Sequence, residues 1–155
     1  MRLSKNFVLS EITHSNTAKR LGINNEPNKE HLYNMQILIK ELIQPMRDAL
    51  GPIRISSGYR SPQLNRAIGG SSKSQHCKAQ ALDLQFWKQG KMCNQEIFNW
   101  VLETKVEFDQ MINEFDYSWI HISYVQDNNR NQVLEAYKKG KKTAYKILPN
   151  NIKTL

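Results

Sequence analysis

The sequence is poor in most features that would mark a special class of chain. Two cysteines, Cys77 and Cys93, stand among 155 residues. They are too few for a disulfide framework and are not spaced as a metal-binding C-x-x-C, so both are expected to be reduced and buried. No run approaches the roughly 18 consecutive apolar residues of a transmembrane helix, and the start Met1-Arg2-Leu3-Ser4-Lys5-Asn6-Phe7 lacks the apolar stretch of a secretory signal. Synthesis in the cytoplasm without an export address of its own is therefore expected. There is no internal repeat and no low-complexity linker. Acidic residues are scarce: 14 Asp and Glu face 22 Lys and Arg, a net charge of +8. That excess predicts an anionic partner or a solvated basic tail. No nucleic-acid recognition motif accompanies it, which counts against specific DNA or RNA binding.

What is present reads as one domain. With 39% hydrophobic residues, the chain can bury a single substantial core, and a single-domain α+β fold over 1–155 is expected, with a basic segment from about residue 137. After an irregular opening stretch, Leu32, Met35, Leu38, Leu42, Ile43 and Met46 recur at helical spacing; Pro45 should bend or interrupt that helix and Gly51-Pro52 should end it. Ile53-Arg54-Ile55-Ser56 reads as a short strand. Ser61-Pro62 is a helix start, with serine as cap and proline at the first position, and Gly69-Gly70 is its stop. Asn94 is placed to cap a helix through Ile97, Phe98, Val101 and Leu102.

Two strand-like segments carry metal-binding side chains. In Ala81-Leu82-Asp83-Leu84-Gln85-Phe86, Asp83 shares a face with Ala81 and Gln85, while the apolar residues point the other way. In Trp119-Ile120-His121-Ile122-Ser123, His121 lies on the face of Trp119 and Ser123. His76 precedes the first strand. Two histidines and an aspartate suit a zinc ion with one open coordination position, the mark of a catalytic site. Spacing alone leaves the ordinary alternative open: a satisfied strand histidine and a turn aspartate. His14 and His31 have no partner at ligand spacing, and Cys77, next to His76 on an extended segment, should point away from the metal.

The segment Ser74-Gln75-His76-Cys77-Lys78-Ala79-Gln80-Ala81-Leu82-Asp83 with Trp119-Ile120-His121 resembles the S-x-H-x-x-G-x-A-x-D and W-x-H motifs of the zinc D-Ala-D-Ala carboxypeptidase and L-alanyl-D-glutamate endopeptidase family, which includes many phage endolysins. Ser57-Gly58-Tyr59-Arg60-Ser61 resembles its S-G-Y-R-S motif, and Leu64-Asn65-Arg66-Ala67-Ile68-Gly69-Gly70 its L-N-x-x-V-G-G. Phe7-Val8-Leu9-Ser10-Glu11 and Thr17-Ala18-Lys19-Arg20-Leu21-Gly22-Ile23 are similar to the amino-terminal part of the phage-type branch. The resemblance implies a hedgehog/D-Ala-D-Ala peptidase-like fold, a small antiparallel sheet with the zinc site on one face and helices on the other. It implies Zn²⁺ held by His76, Asp83 and His121.

Amide hydrolysis also needs a proton shuttle. Many family members have an acid three positions before the last histidine, where this chain has Ser118. Glu114 is the favoured general base, because a hairpin leading into Trp119 would fold it back toward His121; Asp116 is the alternative acid, and Asp109 is expected to orient a neighbour. The family's arginine of S-G-Y-R faces the substrate, which implies that Arg60 binds a substrate carboxylate or the oxyanion, with Ser74 and Gln75 adding hydrogen bonds. A second departure is Ala79 in place of the family's glycine, a strain of about 1 kcal/mol or more if that position has positive φ. The implied activity is zinc-dependent hydrolysis of a peptidoglycan stem peptide, as carboxypeptidase or endopeptidase, by a monomer acting at the cell wall in phage-type lysis after membrane permeabilisation. An anionic wall polymer is a possible second partner. The other readings are an inactive zinc-containing wall-binding module, suggested by Ser118 and Ala79, and a basic nucleic-acid binder.

Overall fold

The computed structural model describes residues 1–150, so the last five positions of the 1–155 domain lie outside the described residues. The opening stretch, read as irregular in the sequence, forms two short helices, α1 (Leu9–Thr13) and α2 (Asn16–Leu21). The helix containing Leu32 to Met46 runs as α3 (Lys29–Leu38), a π-helical turn (Ile39–Ile43) and α4 (Gln44–Leu50). Pro45 does not interrupt it. The wide turn before the proline, in which the Gln44 N–H donates to the Ile39 carbonyl, accommodates a residue that lacks an N–H and crowds the preceding turn. Gly51, at φ 107, ends the helix.

Strands β1 (Ile53–Ser57), β2 (Ala81–Lys88), β3 (Lys91–Met92), β4 (Gln110–Glu114), β5 (Trp119–Ser123), β6 (Gln132–Lys139) and β7 (Lys142–Leu148) build a seven-stranded sheet in the order β1-β2-β5-β4-β6-β7, with β3 paired to β2. The α+β class stands. All pairings are antiparallel except β4 with β6, which is parallel. Within the basic segment from residue 137, the run from Lys138 to Lys142 is the tip of the β6–β7 hairpin rather than a tail, with Gly140 at φ 65 in its turn.

Alternation gives the sheet two unlike faces. Leu82, Leu84, Met111, Ile120, Ile122 and Val133 form the core with Leu38, Leu42 and Met46 of the long helix and with Ile97, Phe98 and Val101 of α6 (Asn94–Thr104). Helix α6 packs on β2 and β5. Asn94 is not the cap of α6; Cys93 holds that position. The Asn94 side chain is buried and ties three segments together, accepting from the Phe86 N–H at 2.7 Å and donating to the carbonyls of Tyr117 at 2.8 Å and Ser118 at 3.1 Å. Asn94→Ala leaves these buried groups unpaired, an expected loss of about 2–3 kcal/mol. For a domain of this size that is a fall in Tm of roughly 4–12 °C, measurable by thermal unfolding.

Candidate metal centre

The other face of the sheet carries side chains that could hold a metal. Asp83 on β2 and His121 on β5 are direct cross-strand partners, so strand alternation aims both side chains from one surface. His76 comes from outside the sheet, on a 3₁₀ turn (Gln75–Lys78) that leads into β2. Ser74 caps this turn, accepting from the His76 N–H. Ala79 ends it in the left-handed conformation at φ 58, the condition under which alanine is strained. The cost of about 1–2 kcal/mol is partly offset because the methyl is buried in the core, worth about 0.8 kcal/mol. The loop therefore keeps its place.

That loop is latched to the S-G-Y-R segment. His76 Nδ1 lies 2.7 Å from the Gly58 carbonyl, and the Arg60 N–H donates to the His76 carbonyl at 3.2 Å. A Cβ at Gly58 would collide with the Ile12 carbonyl, which accepts from the Tyr59 N–H; only glycine permits that approach. Asn25 holds the same segment from the other side, donating to the Thr13 and Tyr59 carbonyls and accepting from the Ser61 N–H. Asn25 has no local pattern that would have singled it out. Ser61 and Pro62 begin α5 (Pro62–Ala67) as read from the sequence, the serine accepting from the Leu64 N–H.

One ligand atom each from His76, Asp83 and His121 converges within 4.8 Å. His76 Nε2 and His121 Nδ1 lie 3.2 Å and 3.0 Å from the same oxygen, Asp83 Oδ1. A tetrahedral zinc with bonds of 2.0–2.2 Å separates its ligands by about 3.3 Å, close to both distances. The donor set also calls for a cation. A carbonyl can only accept, so the proton of a neutral His76 sits on Nδ1 and its Nε2 presents a lone pair to Asp83. Burial lowers the His76 pKa, with Asp83 opposing, and so favours that neutral ring. Asp83 stays ionised. Burial pushes its pKa up, but the His121 ring leads the groups that outweigh burial and hold it well below the usual carboxylate range. Two facing lone pairs at 3.2 Å are stabilised by a metal ion between them, and the residues present fit zinc.

Arg60 serves this group from behind. Its NH2 is 3.6 Å from Asp83 Oδ2 and 3.2 Å from Ser57 Oγ, so it fixes the oxygen that does not face the imidazoles. A cleft of about 700 Å³ opens over the site and is lined by Arg60, Ser74, Gln75, His76, Asp83, Glu114, Trp119 and His121. Glu114 reaches it because β4 pairs Ile112 with His121 and Glu114 with Trp119. Its carboxyl pKa is raised, chiefly by burial, with His121 lowering it and Asp83 raising it further. Asp116 is not brought to the cleft. It sits exposed in the β4–β5 turn at φ 55 and lines a separate depression, as does Ser118. The Ser118 side chain donates to the Phe115 carbonyl. Cys77 and Cys93 are free, partly buried thiols and neither joins the ligand group.

Asp109 orients its neighbours, as expected. It accepts from Gln75 Nε2 at 2.8 Å, from Arg130 Nε and NH2 at 3.0 and 2.8 Å, and from the Arg130 N–H at 3.0 Å. Gln75 is thus committed by its amide N–H to the protein. Burial would raise the Asp109 pKa, but the Arg130 and Gln75 hydrogen bonds prevail and lower it. A folded-state value below the unfolded one, near 3.9, means stabilisation that is complete above about pH 4 and lost as pH falls through the folded value. Asp109→Asn is expected to flatten the fall of stability below about pH 4, as read by denaturant unfolding at acid pH.

The cleft has a wall that sequence reading missed: Lys138, Thr143 and Tyr145 of the β6–β7 hairpin line it together with Glu114 and Phe115. The basic run was the available signal, but only its first lysine faces the site. No curated protein matches the chain. The peptidase M15 family model matches residues 5–123, which include both ligand-bearing strands, the S-G-Y-R segment and Glu114. By that match the chain belongs to the peptidase M15 family.

Proposed function

We propose that this protein hydrolyses an amide bond in peptidoglycan stem peptides with a zinc ion held by His76, Asp83 and His121 and with Glu114 as the general base. Family membership supports a peptidase acting on peptidoglycan-type substrates. The observation that carries the residue assignment is the β4–β5 register, which sets Glu114 and His121 on one face of one cleft. Zinc bound there supplies Lewis-acid polarisation of the scissile carbonyl and lowers the pKa of water toward about 7.

The chain's own residues do the rest. Glu114 takes a proton from the attacking water and delivers it to the departing amine; its raised pKa brings it closer to neutral pH, where a base can also return the proton. Asp83 Oδ1 faces both imidazoles while Arg60 holds Oδ2. Arg60, at the cleft wall, also turns its remaining donors toward a substrate carboxylate or oxyanion. Ser74 and Gln75 complete that wall. The reading of phage-type wall lysis rests on the amino-terminal stretches Phe7–Glu11 and Thr17–Ile23. No helix among the described residues is long and apolar enough to cross a membrane.

The test is digestion of purified peptidoglycan by the zinc-loaded protein, with and without a chelator, and identification of products by mass. Release of stem-peptide fragments that stops on chelation and returns with zinc is the expected result; the product masses distinguish carboxypeptidase from endopeptidase cleavage. Intact peptidoglycan after treatment with fully loaded protein would overturn the proposal.

A further inference from the structure

The open face of the sheet does not end at Glu114. Register continues it outward: Glu114 on β4 pairs with Ala136 on β6, Ala136 with Tyr145 on β7, and Lys138 with Thr143. Ile112, Leu134 and Ala136 form a separate small apolar cluster on this face. Tyr145 is 55% exposed beside it. All of β6 and β7 lies beyond residues 5–123, the part shared with the family.

Charge is distributed unevenly over this wall. Arg130 is paired with Asp109, and Arg60 is paired with Asp83 and keeps only its remaining donors for the substrate at the zinc end of the cleft. Lys138 has no carboxylate partner among the described residues. Its ammonium lies 5.0 Å from the centre of the Phe115 ring and 3.5 Å from Thr143 Oγ1, both neutral groups. The cleft's carboxylates, Asp83 and Glu114, are engaged by the proposed chemistry. An ammonium poised over neutral groups at the rim of a substrate cleft is matched by an anion from the substrate.

We propose that the β6–β7 hairpin is the specificity wall of the cleft, and that Lys138, backed by Thr143 over the Phe115 ring, binds a free carboxylate of the peptide substrate near the scissile amide. The inference rests on the hydrolase reading above. Strand geometry sets the distance. Lys138 is two residues along and one strand across from Glu114, about 8 Å between Cα atoms. An extended peptide covers that span in about two residues, so the carboxylate recognised lies one or two residues from the bond cut. Lys139, next in the chain, does not line the cleft.

The experiment compares soluble stem peptides carrying that free carboxylate with the same peptides amidated there, on full-length zinc-loaded wild type, Lys138→Met and Lys139→Met. Two quantities are read: kcat/KM for hydrolysis, and Kd by calorimetry in a zinc-loaded Glu114→Gln background. Wild type and Lys139→Met should favour the free carboxylate about tenfold, and Lys138→Met should lose that preference in both measurements with its metal content unchanged. A preference that survives Lys138→Met, or is absent from wild type, overturns the inference. If neither peptide is cut by wild type yet the Kd preference depends on Lys138, the anion site stands and the hydrolase reading fails. If the peptides are cut without regard to Lys138, the reverse holds.

Discussion

Asp83→Ala is expected to strip the centre of its metal and of hydrolysis together. Asp83 Oδ1 is the atom that both imidazoles share, at 3.2 and 3.0 Å, and it is the anionic member of the group. Its loss leaves His76 and His121 as neutral ligands beside the Arg60 cation. Substituting residues that merely support ligands costs 10–100-fold in metal affinity, so removing this ligand should cost more than about 100-fold. Because a metal held at 100 times its Kd stabilises by about 2.7 kcal/mol, wild type should gain a zinc-dependent rise in Tm of several degrees that the variant lacks. The difference in Tm with and without zinc is the readout. Tm alone is not, since deleting a buried carboxylate also unpairs Arg60 and lowers the metal-free stability.

Glu114→Gln separates chemistry from metal binding. The substitution keeps shape and hydrogen-bonding capacity but removes the base, so kcat should fall by about 10²–10⁴. Zinc content and Tm should remain near wild type, because Glu114 is not among the atoms that converge on the ion and makes no ion pair among the described residues. Equal losses of zinc and activity would instead make Glu114 a ligand. Unchanged turnover would assign the proton transfer elsewhere.

The centre was legible because the family resemblance named its three residues, and strand alternation, a short-range rule, placed two of them. Once Ala81–Phe86 and Trp119–Ser123 are strands, Asp83 and His121 must leave their sheet on the polar face, and pairing makes them neighbours. Glu114 followed from the same rule through a hairpin. The Ser61-Pro62 helix start was likewise local. What sequence could not supply was long-range partnership. Asn94 looked like a cap because the residue type and position fit, yet Phe86, Tyr117 and Ser118 claim its side chain. Pro45 looked like a breaker, but the preceding π turn absorbs it. The basic run looked like a tail because lysine density conceals the alternation of β6 and β7, and the parallel pairing of β6 with β4 spans a distance that no local pattern encodes. Thus the residues that could hold a metal ion were readable in order, while the cleft wall of Lys138, Thr143 and Tyr145 appeared only when the sheet was complete.

The central claim is that a zinc-bearing His76–Asp83–His121 centre works with Glu114 on a peptidoglycan amide. The most direct measurement follows stem-peptide release from purified peptidoglycan by wild type and Glu114→Gln, each adjusted to the same measured zinc content. Mass-identified release by wild type and a loss of at least about 100-fold in the variant are the expected results. Equal release by both proteins, or none by wild type at full zinc occupancy, would contradict the claim.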